Sequence, residues 1–392
     1  MFRRLCSSAR SRLIPTSAMH PTVDIRDLLP HSMPSARSSA LCTMRHALEH
    51  HGYFYAANAP SLPSAYIERT YDLLRRAHDL PLDVKRRYAR PEGSYSGADA
   101  GVNEMTYQPG TKASVRSWDY GRLQIQSRSH RYPGNAEGLE DFEASLSELY
   151  DRQDELAEVL LVAFAEMLAL PPEAFLQHFR DPAAAGLESP GGDLGTIRLL
   201  HYPGGQEARG GKGAAGDMRS CSDNGDEGSS KGKSGTNGFD FGIAPHTDFE
   251  LFTLMHQDAP GLQFLAPDAK GIAEGGMGTL NWTDAPLRDD HVVIIGDILE
   301  RFTNGVLKAT PHRVLLTQWQ RRSIIRFNAV APNTLVQPLP QFVSPERPTA
   351  YSPVTMRTHM ETTLSNLEKG IGAWDPVRNV SLTATYQYEA AS

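Results

Sequence analysis

The sequence predicts an α+β protein, with helices gathered in its first half and a β-rich barrel, sandwich or jelly roll in its second. Two observations carry this. Up to about residue 170 the chain holds long segments whose apolar residues recur every three or four positions. From about residue 194 the texture changes to short β-rich runs separated by turns, the pattern of an antiparallel all-β unit. Helices followed by strands, instead of the two alternating, define the α+β class.

Residues 22–30, "TVDIRDLLP", read as a short first strand. "SSALCTMRHALEHHGYFYAANAP" (38–60) reads as a helix and then a strand at Tyr53–Ala57. "SAYIERTYDLLRRAHDLP" (64–81) is amphipathic at the helical period. "PLDVKRRYARP" then opens a loop region that runs to about residue 125. A long helix follows at about 139–169, where Phe142, Leu146, Leu149, Gln153, Leu156, Leu160, Phe164 and Met167 repeat on one face, and Pro171-Pro172 ends it. This helix reads as scaffold. Beyond it come "GTIRLLHY", "LFTLMH", "GLQFL", "HVVIIGD", "HRVLLT" and "SIIRFNA", with Asn304-Gly305 giving a hairpin signal between two of them.

With 392 residues, 40% hydrophobic and 22% charged, the chain can bury a sizeable core. A net charge of -7 gives no support for nucleic acid or an anionic membrane surface as the main partner. No apolar run approaches the ~18 residues a membrane span needs. Cys6, Cys42 and Cys221 are few, odd in number and far apart, which supports neither a disulfide framework nor a zinc knuckle. The first twenty residues carry Arg3, Arg4, Arg10 and Arg12, four serines and no acidic residue. That composition suits an organelle-import peptide or a basic tail, so a cytoplasmic or mitochondrial location is expected.

Residues 204–238 stand apart. Eleven glycines, five basic and five acidic residues, and no aromatic, Leu, Ile or Val give this stretch too little apolar surface to offset its ordering entropy. It reads as a disordered insert whose deletion leaves the fold intact.

The chemistry begins immediately after it. "APHTDFELFT" places His246 and Asp248 two positions apart. That pattern is weak alone, since His256-Gln257-Asp258 repeats it ten residues on. A mononuclear non-haem iron site needs two imidazoles and one carboxylate on one face of the metal, with the opposite face open. A His-X-Asp pair supplies two ligands locally, and the third must come from a distant strand. His312 in "KATPHRVLLT", 64 residues beyond Asp248, is the candidate. Nine residues further lies "RRSIIRF". Strand alternation sets Arg321 and Ser323 on one face and Arg322 on the other, and an arginine with a hydroxyl can hold a carboxylate by charge-assisted hydrogen bonds.

Taken in order, His246-Thr247-Asp248, His312 and Arg321-Arg322-Ser323 resemble the iron- and 2-oxoglutarate-dependent dioxygenases of the isopenicillin N synthase-like family. "IRLLHYPG", "LFTLMHQDAPGLQFL", "GDILERFTNG" and "TPHRV" are similar to that family's core. "EHHGYFYAANAP", "LPLDVKRRYA" and "SVRSWDYG" are similar to its N-terminal region, and "QPLPQFVSPERPTAYSPVT" to its tail. The resemblance covers about residues 22–355, interrupted by the insert.

It implies a double-stranded β-helix, or jelly-roll, core with a helical N-terminal region and packed helices. It implies ferrous iron held by His246, Asp248 and His312, and O2 and 2-oxoglutarate as co-substrates, with ascorbate as reductant. The far carboxylate of 2-oxoglutarate would meet Arg321 and Ser323, assisted by Tyr202 in "HYPG". Oxidative decarboxylation to succinate and carbon dioxide would drive hydroxylation, desaturation or ring closure of a small organic substrate. His256 then reads as a structural or pocket residue, and Phe252, Phe264 and Phe327 as core by default. Two positions depart from the family: Leu200 stands where an asparagine often precedes the tyrosine, and Glu250 where a glycine often follows the aspartate.

The expected organisation is a tail or import peptide (1–20), an N-terminal dioxygenase region (21–135), a scaffold helix and connection (136–190), the catalytic core (191–345) and a C-terminal extension with a helix (346–392). Two rival readings share these motifs. One is an oxidase that takes no 2-oxoglutarate and uses Arg321 and Ser323 on its substrate's own carboxylate. The other is a non-enzymatic jelly roll holding a structural metal, which the three-ligand set disfavours because structural zinc is normally closed by four protein ligands. Oligomeric state is left open.

Overall fold

The computed structural model describes residues 20–89, 97–99, 105–122, 132–180, 193–204, 241–265 and 280–382. Residues 1–19 and 205–240 lie outside the described residues, and the import and insert readings fall there.

The chain opens with β1 (Thr22–Asp24) and a 3-10 turn at Ile25–Leu28. Helix α1 (Pro34–His50) follows, then β2 (Tyr53–Ala57) and α2 (Ser64–Asp79). The stretch to residue 125 that reads as loop holds more structure than its sequence suggests: α3 (Leu82–Arg87), β3 (Gly97–Asp99) and β4 (Arg116–Tyr120). These elements are too short for a periodic signal, and β4 exists because β5 pairs with it. Helix α4 (Phe142–Met167) is the scaffold helix, followed by α5 (Glu173–Arg180).

The β-rich half contributes β5 (Thr196–Tyr202), β6 (Phe241–His246), β7 (Phe252–Gln257), β8 (Leu262–Leu265), β9 (Trp282–Asp284), β10 (His291–Ile295), β11 (His312–Leu315) and β12 (Arg321–Asn328). A short helix α6 (Asp297–Phe302) precedes β11, and α7 (Met356–Glu368) lies in the C-terminal extension. The larger sheet runs β1-β2-β10-β7-β12-β5-β4-β3 and the smaller runs β6-β11-β8-β9. From β5 to β12 the chain passes repeatedly between the two sheets. Four strands of each sheet make the eight of a double-stranded β-helix, as expected.

Asn304-Gly305 is not a hairpin. Both residues have positive φ (50° and 75°), but they turn the chain after α6. A helix C-terminus and a tight hairpin demand the same left-handed backbone, so the dipeptide alone cannot separate them.

The larger sheet buries both faces, and strand alternation decides which residue goes where. One face packs on the helices: Ile197, Leu199, Phe252, Leu254, Val293, Ile295 and Ile324 join a cluster with α1, α2 and α4. Phe164 of α4 meets Phe252 edge-on at 5.3 Å, so Phe252 is core. The other face lines the barrel interior: Tyr53, Tyr55, Leu200, Tyr202, Met255, Val292, Ile294 and Ile325 pack with Ala244, Leu262, Phe264 and Val314 of the smaller sheet. Tyr53 stacks on Phe264 at 3.9 Å across the gap between the sheets.

Candidate metal and co-substrate site

His246 closes β6 and His312 opens β11, and antiparallel pairing sets the two directly opposite each other. Their ring centroids are 4.3 Å apart. Asp248 follows β6 by two residues, and its Oδ1 lies 3.7 Å from Nε2 of each histidine. All three are buried, and among the described residues they form the one group of three whose ligand atoms converge as a metal needs.

The histidines are oriented by the backbone. His246 Nδ1 donates to the Ala244 carbonyl at 2.9 Å, and His312 Nδ1 donates to the Thr310 carbonyl at 3.0 Å. A carbonyl can only accept, so each Nδ1 carries the proton and each Nε2 keeps its lone pair for a metal. Burial, reinforced by the neighbouring His312, pushes His246 down to about 3, so its imidazole is neutral at working pH.

The carboxylate is held from behind. Thr253 Oγ1 donates to Asp248 Oδ2 at 2.5 Å. The loop itself is pinned by three backbone N–H groups from "GDI": Gly296 to the Leu251 carbonyl, Asp297 to that of Asp248, and Ile298 to that of Glu250. A Cβ at position 296 would sit 2.2 Å from the Glu250 carbonyl oxygen, so only glycine allows this approach. Replacing Thr253 by valine removes the carboxylate's hydrogen bond at nearly constant volume. Iron affinity should fall roughly 10–100-fold, the usual cost of losing such an outer contact. A metal-binding titration checks this, and an unchanged affinity would show that Thr253 does not orient the ligand.

A second set of polar groups faces the same interior. Arg321 opens β12 directly opposite Tyr202 at the end of β5, and its guanidinium lies 4.7 Å from the Tyr202 ring centroid. Two residues along, Ser323 faces Leu200 and Gln257. Gln257 Oε1 accepts from Arg321 Nη2 at 2.8 Å. Arg321 Nε and Nη1, Ser323 Oγ, Gln257 Nε2 and the Tyr202 hydroxyl are buried without hydrogen-bond partners. Burying that many donors unpaired is costly, so a ligand rich in acceptors suits this end of the barrel. Burial pushes the Tyr202 hydroxyl up to about 12, with Arg321 opposing, so it stays protonated and can donate. Arg322 points the other way and pairs with Asp258 at 3.3 Å.

The second His-X-Asp string is thereby dispersed. His256 lies on the helix-facing side of β7, bonded through Nδ1 to the Tyr71 hydroxyl at 2.9 Å. Gln257 faces the interior, and Asp258 takes Arg322. His256 is therefore structural, with no part in the pocket. Phe264 lies inside the barrel, 6.1 Å from the His312 ring. Phe327 packs against the same interior cluster but is only partly buried, 5.4 Å from the Arg198 guanidinium. Glu250 is buried, and burial together with Asp248 raises its pKa, favouring the protonated form.

Sequence reasoning missed Thr253, Gln257 and Arg198. Alternation along "FTLMHQ" from Thr253 would have placed Thr253 and Gln257 on one face, but nothing local says that this face is the interior. It also missed Gln108, whose Nε2 donates to the carbonyls of Pro245 (2.9 Å) and Trp374 (2.7 Å), tying the C-terminal segment to the strand that ends in His246.

Comparison with known proteins agrees with this geometry. The model of the 2OG-Fe(II) oxygenase superfamily matches residues 218–329. The model described as non-haem dioxygenase in morphine synthesis N-terminal matches residues 21–135. The 2-oxoglutarate-Fe(II) type oxidoreductase hxnY of Emericella nidulans is 25% identical over 340 residues, covering 82% of this chain and 83% of that one. Jasmonate-induced oxygenase 4 of Arabidopsis thaliana is 24% identical, with 85% and 79% covered. Among solved structures, a full-length Neurospora crassa protein in complex with alpha-KG and thymine superposes with a TM-score of 0.66 at 20% identity, covering 88% of this chain and 96% of that one. The chain belongs to the 2-oxoglutarate–Fe(II) oxygenase superfamily, on its isopenicillin N synthase-like branch. It is an iron(II)/2-oxoglutarate-dependent dioxygenase, an oxidoreductase whose co-substrates are 2-oxoglutarate and O2.

Proposed function

We propose that His246, Asp248 and His312 hold the ferrous ion, that Arg321 and Ser323 with Tyr202 hold the far carboxylate of 2-oxoglutarate, and that the substrate is a small organic molecule taken into the barrel beside the iron. The observation that carries the residue assignment is the pairing of two incomplete sites in one interior. Two free Nε2 lone pairs and a carboxylate oxygen lie together, and a buried arginine and serine with partnerless donors lie in the same lumen.

The residues present suit the two groups. An imidazole–imidazole–carboxylate set with an open face fits ferrous iron, and a fork of guanidinium donors fits a carboxylate. Bound there, iron and 2-oxoglutarate supply the oxidising power, and the protein supplies orientation and a dry enclosure. Arg321 fixes the co-substrate by its charged end. Gln257 restrains Arg321 by taking one of its N–H groups. Thr253 keeps Asp248 Oδ1 turned toward the histidines. Tyr53, Phe264, Leu262 and Val314 exclude water from the lumen.

The reading is tested by supplying Fe(II), 2-oxoglutarate and O2 and measuring succinate. Slow substrate-free release that needs all three, and that vanishes in His246→Ala, is expected. Oxygen uptake that leaves 2-oxoglutarate unconsumed would contradict it.

A further inference from the structure

The interior face of the larger sheet can be read as successive levels. Tyr202 and Arg321 form the first, Leu200, Ser323 and Gln257 the second, and Arg198, Ile325 and Met255 the third. Thr196, Phe327 and Thr253 form the fourth. Donors for the co-substrate occupy the first two levels. Thr253, on the fourth, is bonded to Asp248, so the metal ligands lie toward the third and fourth. Arg198 therefore sits beside the metal, beyond the co-substrate grip, where neither iron nor 2-oxoglutarate needs it.

Its environment is specific. Arg198 Nε and Nη2 both donate to Asp119 at 2.9 Å, and Asp119 stands directly opposite it on β4. Asp119 is fully buried, while the Arg198 side chain is 18% exposed. Arg198 lies on the interior face of β5, an inner strand of the larger sheet, so its side chain is directed toward the lumen. Nη1 takes no part in the ion pair. Phe327 lies beside the guanidinium at 5.4 Å, and the Tyr107 ring lies 4.6 Å from His246. The subsite thus combines one directed donor with flat aromatic walls.

The charge balance decides what it takes. A ferrous ion, Asp248, doubly charged 2-oxoglutarate and Arg321 together sum to zero, and Arg198 is already neutralised by Asp119. A substrate carboxylate would place another negative charge beside Asp119 in a low-dielectric lumen, and among the described residues of these three strands Arg198 and Arg321 are the two inward-facing cations. An uncharged carbonyl oxygen accepts from Nη1 at no such cost. Resting on the proposed iron and co-substrate site, we infer that Arg198 and Asp119 form a substrate-selecting pair, and that the substrate is a neutral planar molecule presenting a carbonyl oxygen to Arg198.

The test uses the full chain loaded anaerobically with Fe(II) and 2-oxoglutarate, and reads how probes perturb its visible charge-transfer band. The probes are matched pairs: benzamide against benzoate, and naphthalene-2-carboxamide against naphthalene-2-carboxylate. The carboxamides are expected to bind at least about tenfold tighter than the acids, because only the acids must bury a charge that Asp119 repels. Asp119→Asn keeps the shape but unmasks the guanidinium, and should shift the ratio at least about tenfold toward the acids. The double variant Arg198→Met with Asp119→Leu replaces the pair by apolar groups that can pack, and should keep the band while losing discrimination between amide and acid. Acids that bind the unaltered enzyme as well as amides overturn the inference. So do amides that leave the band unperturbed, or an Asp119→Asn ratio that does not move. A loaded enzyme with no band at all would instead overturn the co-substrate site on which the inference rests.

Discussion

His312→Ala is expected to lose ferrous iron, and with it all turnover of 2-oxoglutarate. The three residues proposed as ligands are the one such group among the described residues, so nothing among them replaces the missing nitrogen. Removing a group that merely orients a ligand weakens metal binding roughly 10–100-fold, and removing the ligand itself must exceed that. His312 is the informative choice because β11 brings it in by register from outside the His246–Asp248 loop. Its loss leaves the loop, with its Thr253 bond and its three backbone anchors, unaltered. Folding checked by circular dichroism together with metal content after anaerobic loading decides the matter. Stoichiometric iron in His312→Ala would place the metal elsewhere.

Arg321→Leu is expected to leave iron binding intact and to raise the 2-oxoglutarate concentration needed for half-saturation. Truncating one partner of a buried, hydrogen-bonded charge pair typically costs about 2–5 kcal/mol, which is roughly 30-fold or more in affinity. Arg321 is 1% exposed, so solvent does little to screen its charge. Lysine should rescue only in part, since a point charge on a flexible stem cannot present two parallel N–H groups. Ser323→Ala removes one neutral donor, and about 1 kcal/mol, roughly fivefold, is expected. A titration of 2-oxoglutarate at saturating iron separates these variants from the histidine variant. Unchanged half-saturation in Arg321→Leu would remove Arg321 from the co-substrate grip.

Much of this site is legible in the sequence because its information is local. The alternation of Arg321, Arg322 and Ser323 along one strand places the first and third inside and sends the second out to Asp258. The long period of Phe142 to Met167 gives the scaffold helix to within a few residues. What the sequence hides depends on which strand lies beside which. Asp119 and Arg198 are far apart in the chain, and only the pairing of β4 with β5 joins them. Gln257 is half of a decoy motif until β12 aligns beside β7. Asn304-Gly305 misleads because its backbone preference is real but serves two different turns. The short helix and strands between residues 82 and 120 are fixed by tertiary pairing and carry no periodic pattern of their own.

The central claim is that one lumen holds both the iron and the co-substrate that chelates it. The most direct test is visible absorption after anaerobic addition of Fe(II) and then 2-oxoglutarate. The unaltered protein should develop a weak metal-to-ligand charge-transfer band. That band should be absent in His312→Ala, and in Arg321→Leu it should need far more 2-oxoglutarate to appear. Iron that binds while 2-oxoglutarate produces no band would contradict the account.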